Sequence, residues 1–306
     1  MCTPAATELF PVVEAFPREV EQWVMKLSDL QFDLDDSSYT PRVIVIGMGR
    51  SGTSLTAKIL ASLGVHIGDV LDVHNEAVSF KETNKALLRS EGSNSTRPRP
   101  FVDKLGSEAF VAQKANQAVQ LLGEWSADYG TVKDHQLWGW KDPRNSLTLP
   151  VWLELFPQAK VIHMIRNGID VALSLYRRQR RRYFFRTREP RLFPPTIARG
   201  YRLWSQYLDI IFEHEDRFET TDWTTVYYEQ MISQPRAQIE SLCRFLNLRP
   251  DQESIHEIAH SIVGHPTQPS RVDKIQVRIL LKLGAIDIEP LVSLPGYAHI
   301  QTYLQE

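Results

Sequence analysis

Apolar positions in the first 40 residues show one helical candidate, 17–30, where Val20, Trp23, Val24 and Leu27 recur at helical spacing; the rest of that stretch is acidic and irregular. Residues 1–40 therefore read as an N-terminal extension. From Arg42 the pattern changes to short apolar runs alternating with longer amphipathic segments, the mark of a parallel α/β architecture. The run Val43–Ile46 predicts a strand, followed by a helix from about Thr53 to Leu63 that stops at Gly64. A second helix is expected over 76–89, with Phe80, Asn84, Leu87 and Leu88 on one side, then an exposed loop over 90–100 and a further helix near 107–123. LWGW at 137–140 predicts a strand that ends on KDPR, VIHMI at 161–165 a buried strand, and 169–178 the helix behind it. A helix over 197–212, a strand over 224–228 and a helix opening at Pro235, a residue suited to the first helical position, complete the pattern. The last 55 or so residues are weakly patterned, and no internal repeat is visible.

Composition narrows the class. A chain of 306 residues that is 42% hydrophobic and 24% charged can bury a full core, and 41–306 reads as one domain. The formal net charge of -2 argues against general attraction to nucleic acid or acidic membranes, so any basic site is local. Cys2 and Cys243 build neither a disulfide framework nor a cysteine metal site, which fits a reducing compartment. No apolar run approaches the ~18 residues that span a bilayer, and the N-terminus lacks the basic region and apolar core of a signal peptide. A cytoplasmic location is the expectation.

Two stretches carry candidate chemistry. VIVIGMGRSGTS, 43–54, has the outline of a strand feeding a phosphate-binding loop, with Gly47 and Gly52 spaced so that backbone N–H groups and a helix dipole converge on an anion. Thr53 stands where a nucleotide-triphosphate loop has its lysine, although Ser54 keeps the hydroxyl. An anion nest without that lysine suggests a shorter anion with no γ-phosphate, Arg50 supplying the cation. KVIHMIRNGIDVALSL, 160–175, sets Arg166 at the carboxyl end of a buried strand and Ser174 eight residues later, where a guanidinium and a hydroxyl can hold a second phosphate.

Together these residues carry a family likeness. GMGRSGTSL resembles the 5′-phosphosulfate loop of sulfotransferases, and RNGIDVALS resembles their 3′-phosphate motif, with Arg166 and Ser174 matching in spacing. WGWKDPR, 138–144, is similar to a Lys-Asp-Pro segment of tyrosylprotein and bacterial sulfotransferases, and the stretch from Val226 to Leu248 to the family's Tyr-Glu strand and following helix. Gly168 departs from the usual proline, Asn247 from the usual glycine, and Arg50 from the lysine of the cytosolic enzymes. The resemblance implies a P-loop, nucleotide-hydrolase-like three-layer fold and a metal-independent transfer of a sulfuryl group from 3′-phosphoadenosine 5′-phosphosulfate to a hydroxyl on a small molecule, carbohydrate or lipid. It also implies roles. Arg50 and Lys141 would stabilise charge on the leaving oxygen, and Ser51, Gly52, Thr53 and Ser54 would hold the 5′-phosphate. Arg166 and Ser174 would hold the 3′-phosphate, with Tyr228 near the adenine and Asp142 orienting Lys141 or capping the next helix. For the general base the candidates are Glu76 first, His74 second, with His66 and Glu82 in the same region; His163 reads as a packed core histidine.

The segment YRRQRRRYFFRTREPRLFPP, 176–195, holds eight arginines. A lid over the donor, a solvated helix extension and a nucleic-acid surface are its three readings, the lid preferred. Two other functions stay open: a small-molecule kinase, which would need magnesium and the missing lysine, and a binding protein on the same fold without activity.

Overall fold

The computed structural model describes residues 42–123, 137–185, 196–262 and 277–281. Its frame is a parallel sheet of β1 (Arg42–Ile46), β2 (Trp138–Lys141), β3 (Lys160–Ile165) and β4 (Trp223–Tyr227) in the order β2-β1-β3-β4. Pairing is in register from Val43↔Gly139 across β1 and β2, Ile44↔Val161 across β1 and β3, and Ile162↔Thr224 across β3 and β4. β1 and β3 are buried throughout, as a parallel sheet covered on both faces requires, so they read as unbroken apolar runs. Alternate residues serve opposite layers: Ile44 and Ile46 enter one core cluster, Val43 and Val45 the other. Each of these four fully buried side chains contributes about 1.5–3 kcal/mol relative to exposure.

Helices cover both faces. On the Val43 face lie α1 (Thr53–Ser62), α9 (Pro235–Leu246) and α10 (Gln252–Ile262). On the Ile44 face lie α2 (Val78–Ser90), α3 (Arg99–Val102), α4 (Glu108–Gly123), α5 (Asn145–Leu155), α6 (Gly168–Phe185) and α7 (Ile197–Arg217). A short α8 (Tyr228–Ser233) follows β4 directly. The expected central parallel sheet flanked by helices is therefore what the chain forms. Among the described residues no helix is long and apolar enough to cross a membrane.

Several elements depart from the sequence expectation. α5 was expected only as the helix after Asp142, without bounds: ten of its eleven residues are buried, so no polar face marks a helical period, and Pro150 sits inside it. α10 was not foreseen. The second helix starts at Val78, not at 76, because residues 70–78 form a tight hairpin held by Val78 N to Val70 O (3.0 Å) and Asp72 N to Glu76 O (3.0 Å). The expected loop at 90–100 contains an Asn94–Arg97 turn and leads into α3. α6 runs through residue 185, absorbing the first half of the arginine-rich segment; 186–195, like the helical candidate at 17–30, lies outside the described residues.

Two of the three departures from the resembled family fit their local geometry. Gly168 opens α6, and a Cβ there would fall 2.5 Å from the Trp204 ring on α7. Asn247 closes α9 in the left-handed conformation (φ 56°), which asparagine tolerates best after glycine.

Candidate functional site

Because all four strands run the same way, their carboxyl ends share one edge, where open α/β sheets gather ligands. Each end carries a residue singled out by sequence. The glycine loop follows β1, Lys141 is the last residue of β2, Arg166 follows β3, and Tyr228 follows β4.

The loop is shaped by close approaches. Gly47 has φ 131°, and a Cβ there would lie 2.4 Å from the Met164 carbonyl oxygen of β3; its N–H donates to Ser146 Oγ of α5 at 2.9 Å. Gly52 (φ 103°) is the N-cap of α1, and a Cβ there would lie 2.6 Å from the Tyr228 ring, so that ring packs directly on the loop. Ser51 N–H closes a turn on the Met48 carbonyl (3.1 Å), and the amides of Leu55 and Thr56 both donate to the Gly52 carbonyl. The amides of Thr53 and Ser54 are thereby left as the open donors of the first helical turn, where an anion is favoured.

On one side of this loop sits a cationic group. Arg50, exposed and held at φ 82°, donates from Nε to Ser174 Oγ of α6 at 2.9 Å, and its carbonyl accepts from Arg166 Nη1 at 3.5 Å. The left-handed conformation costs a non-glycine residue roughly 1–2 kcal/mol, which these two bonds offset. Arg166 lies over the Tyr228 ring at 4.3 Å and 3.8 Å from Asp170. Partial burial of the guanidinium first, and the neighbouring Arg166 charge second, hold Arg50 below its ordinary value even though the residue as a whole stays exposed. The two anion motifs, 124 residues apart in sequence at Arg50 and Ser174, are one cluster in space. Arg50, expected to share the leaving oxygen with Lys141, is bonded on the Arg166 side.

On the other side Lys141, 1% exposed, spreads its ammonium over three acceptors: the His74 carbonyl (2.7 Å), Glu76 Oε1 (3.2 Å) and Ser54 Oγ (3.4 Å). Three acceptors match the three donors of an ammonium. Burial lowers its pKa, and Glu76 works against that shift. Ser54 Oγ also donates to the His74 carbonyl at 2.9 Å. His74 thus enters through its main chain. The Glu76 carboxylate, 8% exposed, holds its second oxygen 3.9 Å from Arg144 Nη1, beyond hydrogen-bond length. The other base candidates stand apart from Lys141: Glu82 is paired with Lys85 at 2.6 Å and His66 with Asp69 at 3.3 Å.

A buried polar network fixes this half of the site. Asp142, fully buried, binds Arg144 Nη1 (2.7 Å) and Asn84 Nδ2 (3.0 Å); Asn84 also reaches Asn145 (2.8 Å), and its carbonyl oxygen accepts from Thr148 and the Trp152 indole. Burial disfavours the Arg144 charge, but Asp142 and Glu76 outweigh it and raise its pKa. Arg144 and Asn84 were given no site role by the sequence reading: Arg144 stands three residues after Lys141 and could have been flagged there, whereas Asn84 was placed on the apolar side of its helix with no partner named. Glu229 was missed too. Its carboxylate, pushed up by burial, accepts the Asn167 N–H at 2.9 Å, next to Arg166. Trp204 Nε1 donates to the Arg166 carbonyl at 3.1 Å, so α7 braces the same turn.

Comparison with known proteins bears on this arrangement. Residues 41–252 match the model of the sulfotransferase family. Protein-tyrosine sulfotransferase A of Caenorhabditis elegans is 24% identical over 253 residues, which cover 81% of this chain and 60% of that protein. Omega-hydroxy-beta-dihydromenaquinone-9 sulfotransferase Stf3 of Mycobacterium bovis is 32% identical over 112 residues, 35% of this chain and 28% of that protein. Among solved structures, sulfotransferase STF9 from Mycobacterium avium has 16% identity and a TM-score of 0.49, covering 89% of this chain and 82% of that one. The chain spans 60% or less of the length of these two curated relatives.

Proposed function

From membership of the sulfotransferase family, to which this chain belongs, we infer that it transfers a sulfuryl group from 3′-phosphoadenosine 5′-phosphosulfate to a hydroxyl acceptor by metal-independent in-line displacement. The observation that carries this reading is the pairing of two anion sites, the loop amides of Thr53 and Ser54 and the Arg50–Arg166–Ser174 cluster, on one sheet edge beside a buried Lys141–Glu76 pair. Arg50, whose charge is disfavoured by partial burial and by the neighbouring Arg166, gains from an anion placed between the two guanidiniums. Gly47 and Gly52 let the Met164 carbonyl and the Tyr228 ring approach the loop where a Cβ would collide, which holds the loop in the shape that presents its amides.

In this reading each residue has a balanced part. Glu76 takes the acceptor proton as the acceptor oxygen bonds to sulfur, and the sulfur–oxygen bond to the 5′-phosphate breaks with its electron pair leaving on the bisphosphate. Lys141, hydrogen-bonded to Ser54, neutralises charge on that leaving oxygen. Arg166 and Ser174 hold the 3′-phosphate, and Tyr228 borders the nucleotide. We take 41–306 as one catalytic domain, residues 176–195 as a cover over the donor, and the cytoplasm as its compartment, in keeping with a buried free Cys243.

The test is thermal denaturation with adenosine 3′,5′-bisphosphate against ATP with magnesium. At a hundredfold excess over its dissociation constant the bisphosphate should add about 2.7 kcal/mol of stability. A magnesium-dependent shift with ATP, and none with the bisphosphate, would instead support a kinase and sink the transfer reading.

A further inference from the structure

The hairpin 70–78 sits directly beside the Lys141–Glu76 pair, and it is unusual on its outer side. Among the described residues the exposed large apolar side chains are Val70 (48% exposed), Leu71 (41%), Val73 (93%), Phe212 and Ile279. Three of these five fall within four consecutive positions of one turn, so they form a patch and are not scattered surface residues.

That turn is held firmly. Asp72 accepts at Oδ1 from the amides of His74 (2.7 Å) and Glu76 (3.0 Å), and at Oδ2 from Lys81 Nζ (2.8 Å). Asn75 turns the chain at φ 56° with its N–H on the Asp72 carbonyl (3.0 Å). The same few residues bring the His74 carbonyl and Glu76 Oε1 to the Lys141 ammonium. An apolar tip therefore lies, along a fixed backbone, one residue from the His74 carbonyl and three from Glu76, the group that would meet the acceptor hydroxyl.

We propose that Val70, Leu71 and Val73 form the acceptor-binding lip of the site, and that the acceptor is an alcohol or phenol carrying its hydroxyl on an apolar body. This rests on the sulfuryl-transfer reading above. A sugar ring would need polar partners that these three side chains lack. The hairpin's own charged side chains, Asp72 and Glu76, are already paired with Lys81 and Lys141, and none of its residues is a Lys or Arg that could pair with an anionic acceptor or an acidic lipid surface. Three side chains also fall far short of the roughly 800 Å² per partner that a stable protein interface buries.

The test uses the full chain saturated with adenosine 3′,5′-bisphosphate and titrated calorimetrically with 4-methyl-, 4-ethyl- and 4-propylphenol. Affinity should rise about fourfold per added methylene, the gain from burying that group. In the Leu71→Ser/Val73→Ser variant the gain should fall below twofold per methylene, with bisphosphate stabilisation unchanged; Val73→Phe, at an exposed position, should restore or steepen it. A flat series in the wild type, or an unchanged slope in the double variant, overturns the proposal. So does a dimer by light scattering that Val73→Ser converts to monomer, since the patch would then be a subunit contact. Loss of bisphosphate stabilisation in the wild type would sink the transfer reading and this inference with it, whereas stabilisation with a flat series sinks the inference alone.

Discussion

Two buried histidines give the fold a defined acid lability. His163 on β3 is fully buried between Phe212 and Trp223, neither ring nitrogen has a hydrogen-bond partner, and burial drives its pKa down to about 3. His214 on α7 is 4% exposed, and burial, reinforced by Arg217, brings it to about 4. In the unfolded chain both take up a proton near 6.5. Between the folded and unfolded values the unfolded state binds more protons, so stability is full above pH 6.5 and falls as the pH drops. At about 1.36 kcal/mol per pH unit, lowering the pH from 8 to 5 should cost about 2 kcal/mol per histidine and about 4 kcal/mol for the pair. That is a large share of the roughly 5–15 kcal/mol that holds a domain folded. Urea denaturation followed by tryptophan fluorescence at both pH values measures the difference, and His163→Leu and His214→Leu should each reduce it by about 2 kcal/mol. Glu229, raised by burial, works in the opposite sense, but it is common to all variants and cancels. If His163→Leu kept the full wild-type difference, the buried ring would not be neutral and the reasoning would fail.

Other expectations concern the site directly. Glu76→Gln should leave bisphosphate binding intact while slowing sulfuryl transfer by about 10²–10⁴-fold in single-turnover measurements; an unaltered rate would move the base elsewhere. Arg166→Ala should weaken adenosine 3′,5′-bisphosphate by about ten- to a hundredfold and adenosine 5′-phosphate far less, with equal losses removing the 3′-phosphate assignment. Gly168→Ala should destabilise the fold by about 1–3 kcal/mol through the Trp204 ring, and an unchanged denaturation midpoint would contradict that packing.

What could be seen in the sequence was what is written locally. A buried strand, two glycines with special backbone geometry and a helix start lie within twelve residues, and Arg166 and Ser174 sit on one short strand-to-helix unit, so both were legible. The bounds of α5 were not, because a helix buried on every side has no polar face to set its period. Glu76 was chosen as the start of a helix but belongs to the hairpin, because the Asp72 side chain bonds two of its amides and delays helix entry to Val78. The bond between Asp142 and Asn84 was invisible for a different reason: Asn84 lies 58 residues away and joins Asp142 only once α2 packs on α5.

The anchoring of the 70–78 hairpin separates what must stay constant from what is free to vary. Its fixed points are main-chain groups of residues 70–78, the Asp72 carboxylate and the Glu76 side chain, whereas Val70, Leu71 and Val73 contribute only their outward surface. Such a turn can be re-lettered at three positions without disturbing the ammonium it surrounds. Over generations, or in a directed library, the outer surface of the turn is open to change while the Lys141–Glu76 contact beneath it is inherited unchanged.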